Sequence, residues 1–442
     1  MNTDVYWQQE KEPSAGTALE QDLVCDIVIV GGGMAGLMCA QQLHKAGIAA
    51  VILEKDFCGA GASGKTSGFI TPDSEIELSS LVENYGPTEA KRIWEFVVSG
   101  VDAIRSNIEQ YKIDCDYEVQ DSLFVGTNKR GFEHTQEEHA ARQQLSYEST
   151  LYTQERLSEV LGAQGYFGGV RYPDTFGMNS YLYCQALRDV LVGEGVVIYE
   201  HTAVTSLGKG SLVANGKKIM AKHIVVAADH FALQLGLLDY QLYHIQTFLG
   251  ITKPLSDDAI KQIFPQDRMM VWDTDLVYEY YRLTGDNRML IGGADLRYTY
   301  EMNERPEAPR PIARKMLKYM EQRFPGIEFP LESIWPGMLG VTKDLLPIMG
   351  QDKDDASVTY IAAASGLPWA AALGKYVADK VKDGRSDFDS VFTPYRTFVA
   401  SRLIEKIAHK QITYALAHGY AKYQSRIFAL IADMAKELYK ML

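Results

Sequence analysis

Asp26-Ile27-Val28-Ile29-Val30-Gly31-Gly32-Gly33-Met34-Ala35-Gly36 decides the fold. Ile27 to Val30 is a short apolar β-type run, as in a strand buried on both faces. Leu37, Met38, Ala40, Gln41 and Leu43 continue in a helical pattern, and Gly47 suits the helix C-cap. Ala50-Val51-Ile52-Leu53-Glu54 reads as a second strand, completing a βαβ unit in about 30 residues. Gly31-x-Gly33-x-x-Gly36 alone is a weak signal. Here it follows a strand, opens a helix and precedes Glu54 at the end of the next strand. Gly31 allows the tight turn, Gly33 lets backbone approach a pyrophosphate, and Gly36 lets helix and strand pack closely. The helix start offers unpaired N–H groups and the positive end of a dipole to phosphates. Glu54 is expected to accept hydrogen bonds from ribose hydroxyls. The unit leaves FAD and NAD open.

Outward from this unit comes a glycine-rich loop, Gly59 to Gly68. Residues 88–146 are mainly charged and helical in pattern. Residues 182–194 read as a helix, and 196–200, 204–207 and 223–228 as strands. Residues 240–300 alternate in the β manner around a turn at Gly285-Asp286-Asn287. A glycine-containing stretch, 335–350, precedes a strand at 358–363, and Ser365-Gly366 opens another helix. No repeat or low-complexity linker separates these pieces, so interleaved domains are expected.

The chain has 442 residues, a length suited to two or three domains. Its 46% apolar and 23% charged residues are those of a globular chain and exclude disorder. No run of about 18 uninterrupted apolar residues occurs, so no membrane-spanning helix is expected. The N-terminus lacks the basic start and apolar core of a secretory signal. Five cysteines without a CxxC pair favour reduced thiols, and with them a cytoplasmic location. Cys58, near the loop, reads as a buried inert thiol. His134 and His139 do not share a helix face, and no metal site is expected. The net charge of −13 argues against nucleic-acid binding. After residue 400, seven Lys/Arg against three Asp/Glu give +4, leaving −17 for the rest. Tyr420, Tyr423, Ile427, Leu430, Met434, Leu438 and Met441 recur at helical spacing there. Such a basic amphipathic tail suits three readings: packing on its own domain, a dimer contact, or peripheral association with the inner face of an anionic membrane.

The chain resembles the D-amino-acid oxidase-like superfamily of FAD-dependent oxidoreductases over roughly residues 5–390. Carrying the likeness are Tyr6-Trp7, the βαβ unit, Gly61-Ala62-Ser63-Gly64, Arg282 to Gly293, Trp335-Pro336-Gly337, Thr342-Lys343-Asp344 and Leu346 to Gly350. Its closest flavour is that of the gamma-glutamylputrescine, glycine and sarcosine oxidases. The resemblance implies an α/β and α+β fold. A Rossmann-like FAD-binding domain (1–85, 150–240, 336–390) interleaves with an antiparallel-sheet substrate or cap domain (86–149, 241–335). Amphipathic helices follow at 391–442. It also implies non-covalent FAD, because Gly337 stands where sarcosine oxidase-like members attach flavin to cysteine. The residues expected to hold FAD are Gly31, Gly33, Met34, Ala35, Gly36, Glu54, Lys55, Gly61, Ala62, Ser63, Thr66, Ser67, Val204, Ala228, Gly337, Gly366, Leu367, Pro368 and Trp369. Asp229 stands where the family has glycine, and Leu367-Pro368 replaces its histidine-glycine.

The implied reaction is oxidation of a carbon–nitrogen bond by hydride transfer to flavin N5, followed by imine hydrolysis, with oxygen or another carrier as acceptor. Leu339 replaces the arginine that grips a substrate carboxylate in glycine oxidase-like members. Leu290 replaces the lysine that promotes oxygen use. An amine or larger amino-acid-like substrate is therefore expected. Tyr280, Arg282 and Phe69 are the catalytic-pocket candidates, with Trp272 and Tyr281 beside them. Two alternatives remain: a flavin-holding subunit without turnover, and an FAD-dependent hydroxy-acid dehydrogenase.

Overall fold

The computed structural model describes residues 2–73, 75–275, 277–298, 309–398, 405–407, 412–414 and 416–417. Strand β1 (Leu23–Val30), helix α1 (Met34–Lys45) and strand β2 (Val51–Leu53) form the expected βαβ unit. β1 pairs in parallel with β2 (Val28 opposite Val51) and with β3, Lys217–Val226 (Val28 opposite Ile224). Val197–Tyr199 extends the sheet beyond β2, and Val358–Ala362 pairs in parallel with β3. The alternation inside β1 sets the layers. Ile27 and Ile29 point into a core that also holds α1, while Val28 and Val30 point into the opposite cluster. A strand segment buried on both faces needs apolar residues at every position, and the second half of β1, Ile27 to Val30, has them.

Helix α2 (Leu78–Tyr111) bends where Gly86 (φ 74°) precedes Pro87, and helix α3 is Leu367–Asp383. Three glycines set the helix spacing. A Cβ on Gly374 of α3 would collide with the Ala35 carbonyl of α1. One on Gly100 of α2 would collide with the Pro368 carbonyl, and one on Gly36 with the Gly31 carbonyl.

The second sheet has eight strands in the order Leu331–Val341, Tyr243–Pro254, Arg288–Tyr298, Tyr280–Leu283, Met269–Asp273, Asp121–Val125, Gly168–Tyr172 and Thr150–Thr153. All neighbours are antiparallel except the parallel pair Asp121–Val125 and Met269–Asp273. Two segments thus differ from the sequence reading. Asp121–Val125 lies between helices where the sequence pattern predicts one charged helical stretch, because its apolar residues Leu123, Phe124 and Val125 are claimed by this sheet. The strands at 150–153 and 168–172 join it too, although the sequence division assigns 150–240 to the cofactor domain. Helices Asp257–Ile263, capped by the Ser256 hydroxyl, and Pro309–Arg323 also went unread.

The described tail residues pack on the body of the chain. Glu405, Thr413, Tyr414 and Ala417 are buried, and Tyr414 packs on Tyr243. The Lys343 ammonium lies 2.8 Å from the Glu405 carboxylate, which also accepts from the Tyr243 hydroxyl. The periodic residues from Tyr420 onward lie outside the described residues. No described helix is long and apolar enough to cross a membrane. Lys343→Met should cost about 3–5 kcal/mol of unfolding free energy, because it leaves the Glu405 charge buried and unpaired. Replacing both residues by apolar ones should recover most of that loss. Denaturant unfolding checks this; an unchanged midpoint in the single variant would mean the tail is not anchored there.

Candidate active site

The glycine turn is held from three sides. Gly31 sits at φ 112°, and a Cβ there would press on the Ala227 carbonyl of the neighbouring chain end. Gly33 caps α1 without a side chain, and the Met34 N–H donates to the Ser63 hydroxyl at 2.9 Å. Glu54 accepts from the Gly32 and Asp56 N–H groups at 2.7 and 3.0 Å. Burial pushes its pKa up and these bonds oppose the shift. Glu54 therefore braces the turn itself. Cys58 is fully buried beneath it, with burial holding its thiol well above the ordinary value.

The adjoining loop is clamped through its carbonyls. The Trp335 indole donates to Lys65, the Trp7 indole to Thr66, the Arg282 Nε to Ser67 and the Met178 N–H to Gly68, at 2.8–3.1 Å. With its outer edge fixed this way, the loop presents Ala62, Ser63, Lys65, Thr66 and Ser67 to a cavity of about 260 Å³. Arg282 spends its other donors on the Leu283 and Met178 carbonyls and is fully buried. Burial lowers its pKa to about 10. It does not line the cavity, so the structure makes it a brace for the loop and not a substrate contact.

Tyr280 and Phe69 do line the cavity, with Trp272 and Tyr278. Phe69 meets Tyr280 edge-on at 5.5 Å and Trp272 at 6.2 Å. Tyr281, one residue on, points to the opposite face against Phe324. Thr71, Asp73 and Glu75 form the wall beside these rings. Tyr278 donates to Glu75 at 3.3 Å. Asp73 accepts from Tyr172 and Arg142, and burial raises its pKa to about 6. Arg142 also binds Glu138 at 2.8 Å, so two carboxylates share one guanidinium. Leu339, Met338 and Thr247 line the sheet side.

At the other end, Ser365, Gly366 and Leu367 bring the start of α3 to the cavity. Its cap is Gly366, with no side-chain hydrogen bond, so its first N–H groups stay available. Gly337 also lines the cavity. Gly61, Lys55, Val204, Ala228, Pro368 and Trp369 are not among the lining residues. Lys55 lies over the Phe231 ring and beside Asp56, Val204 pairs with Ala214 at a strand edge, and Trp369 packs against Phe96 and Phe392. Asp73, Glu75 and Thr247 were missed by sequence reasoning. The one signal for the acidic pair was its place immediately after the loop. No group of three or more His, Cys, Asp or Glu suited to a metal occurs among the described residues.

A βαβ phosphate cradle opening onto a sheet-lined cavity is the arrangement of a dinucleotide-binding protein with a small-molecule site beside the cofactor. Residues 26–380 match the family model DAO: FAD dependent oxidoreductase, and the chain belongs to this family. It is 26% identical to the gamma-glutamylputrescine oxidoreductase of Escherichia coli (strain K12) over 404 residues, covering 87% of this chain and 90% of that protein. To the probable oxidoreductase OrdL of Haemophilus influenzae it is 23% identical over 422 residues, covering 92% and 94%. The crystal structure of glycine oxidase from Geobacillus kaustophilus matches with a TM-score of 0.72 at 20% identity, over 85% of this chain and 100% of that one. The last likeness concerns the fold.

The residues present fit FAD. Two helix starts with glycine cap residues, Gly33 and Gly366, face one cavity, and Gly36 cannot carry a side chain. Arg282→Met should remove the donor from the buried Ser67 and Met178 carbonyls, while Leu283 keeps Gln120, and cost roughly 2–3 kcal/mol, loosening FAD with the loop. Thermal unfolding and flavin release check it; a variant as stable and as yellow as the parent would remove Arg282 from this role.

Proposed function

We propose that this FAD-dependent oxidoreductase oxidises a carbon–nitrogen bond of an amine or amino-acid-like substrate. The observation that supports this most is the charge of the cavity wall. Phe69, Trp272, Tyr278 and Tyr280 stand beside Asp73 and Glu75, while Leu339 stands where a carboxylate-gripping arginine is expected from the resemblance. Lys65, on the loop, is the one basic residue among the described lining residues. Aromatic faces and carboxylates attract an ammonium and repel a carboxylate. A substrate recognised only by its carboxylate finds no partner on this wall, which disfavours the hydroxy-acid alternative.

FAD, when bound, supplies the two-electron acceptor for the hydride leaving the carbon next to nitrogen. The protein's own residues bind and orient. Exclusion of water around the reacting carbon favours the neutral form of the reacting nitrogen, while the aromatic faces and carboxylates attract a cationic group elsewhere on the substrate. Glu75, backed by the buried cluster in which Asp73 and Glu138 share Arg142, biases the cavity toward a cation. No described side chain needs to act as an obligatory base.

Incubation of the holoenzyme with amine panels and an artificial electron acceptor should yield an aldehyde or keto product together with ammonia or a shorter amine. Leu339→Arg should shift preference toward simple α-amino acids by about tenfold in kcat/KM, the worth of one added charge-assisted pair. Turnover confined to hydroxy acids, with no nitrogen product, would refute the proposal.

A further inference from the structure

Asp229 follows the end of β3, where the resemblance has glycine. Its backbone lies in the left-handed region at φ 48°, and so does that of Ala363 at φ 51°. Aspartate tolerates this region better than most residues. One hydrogen bond joins the two strained positions: the Ala363 N–H donates to Asp229 Oδ1 at 2.9 Å. The second oxygen accepts from the Gly340 N–H at 2.6 Å and from His230 Nδ1 at 3.2 Å. A Cβ on Gly340 would collide with Asp229 Oδ1, so the glycine at 340 makes room for this carboxylate. Ser365 Oγ in turn donates to the Gly340 carbonyl at 3.2 Å. Three separate pieces of chain therefore meet at one side chain: the end of β3, the strand Leu331–Val341 and the turn that feeds α3.

Asp229 also lines the cavity, together with the start of α3. Burial acts to raise its pKa, but the His230 and Gly340 partners outweigh this and hold the carboxylate below its ordinary range. The group is thus a fixed negative charge beside a helix end whose dipole is positive.

We propose that Asp229 is a charged clasp on the flavin cradle. It fixes the turn before α3 for FAD retention, and its charge lowers the reduction potential of the bound flavin. The physical reason is Coulombic. Two-electron reduction adds negative charge to the flavin, the start of α3 stabilises that charge, and a nearby carboxylate opposes it. A clasp of this kind makes the flavin a weaker oxidant than the cradle without it. The proposal rests on FAD binding and not on the identity of the amine.

The test compares the holoenzyme with Asp229→Asn and Asp229→Gly. The midpoint potential is read by equilibration with redox dyes, and FAD affinity by fluorescence on reconstitution. Asp229→Asn keeps the size and one acceptor but loses the charge. Its midpoint should rise by about 30 mV, a tenfold shift toward reduced flavin for a two-electron couple. Asp229→Gly relieves the backbone but opens the clasp. Its potential should rise likewise, and its FAD dissociation constant should weaken about tenfold or more. A role confined to folding would move stability and leave the Asn midpoint where it was. Unchanged midpoints in both variants overturn the proposal, whatever happens to retention. No substrate enters these measurements, so their failure is separate from failure of the amine reading.

Discussion

Four consecutive carbonyls, those of Lys65, Thr66, Ser67 and Gly68, are each held by a donor from elsewhere in the chain. Trp335 and Arg282 come from the second sheet, Trp7 from the N-terminal segment, and the Met178 N–H from the residue after the strand Phe176–Gly177. A loop left with these acceptors unpaired in the interior would lose free energy at each of them. Satisfied from outside, it becomes a fixed wall whose other side lines the cavity. The two sheets meet through this loop, so the position of the substrate wall relative to the phosphate cradle depends on it. Arg282 serves two segments at once, reaching Ser67 and Met178.

Charge is distributed along the cavity with a gradient. Two helix starts whose cap residues are glycines, Gly33 and Gly366, collect at the cradle, where their dipoles would favour the negative charge of a bound dinucleotide. Asp73 and Glu75 collect at the aromatic end, where a cationic amine is proposed to enter. Asp229 is the exception, a carboxylate at the helix end, and its three partners show that the fold is built to keep it there.

The fold was legible where spacing alone carries meaning. Ile27 to Val30 and the glycines at 31, 33 and 36 specify strand, turn and helix by short-range geometry. Most of the residues expected at the cofactor from the first loop line the cavity, because they follow one another along the chain. Arg282 shows the limit. Strand alternation placed it on the same side as Tyr280, but a long side chain can fold back, and three carbonyls captured it. Asp121–Val125 was hidden by charged helical neighbours, since its two partner strands lie about 50 and 150 residues later. Asp229 was visible as a departure from glycine, yet its partners Gly340 and Ala363 are more than 100 residues away and only the fold brings them together.

The central claim is that this cavity joins FAD to an amine donor. Its most direct test is the visible spectrum of the purified holoenzyme during anaerobic titration with polyamines, γ-glutamyl polyamines, N-methyl amino acids and D-amino acids. The account expects the oxidised flavin band to bleach stoichiometrically with one class of amine and to stay with hydroxy acids. A flavin band that persists through every amine would contradict it.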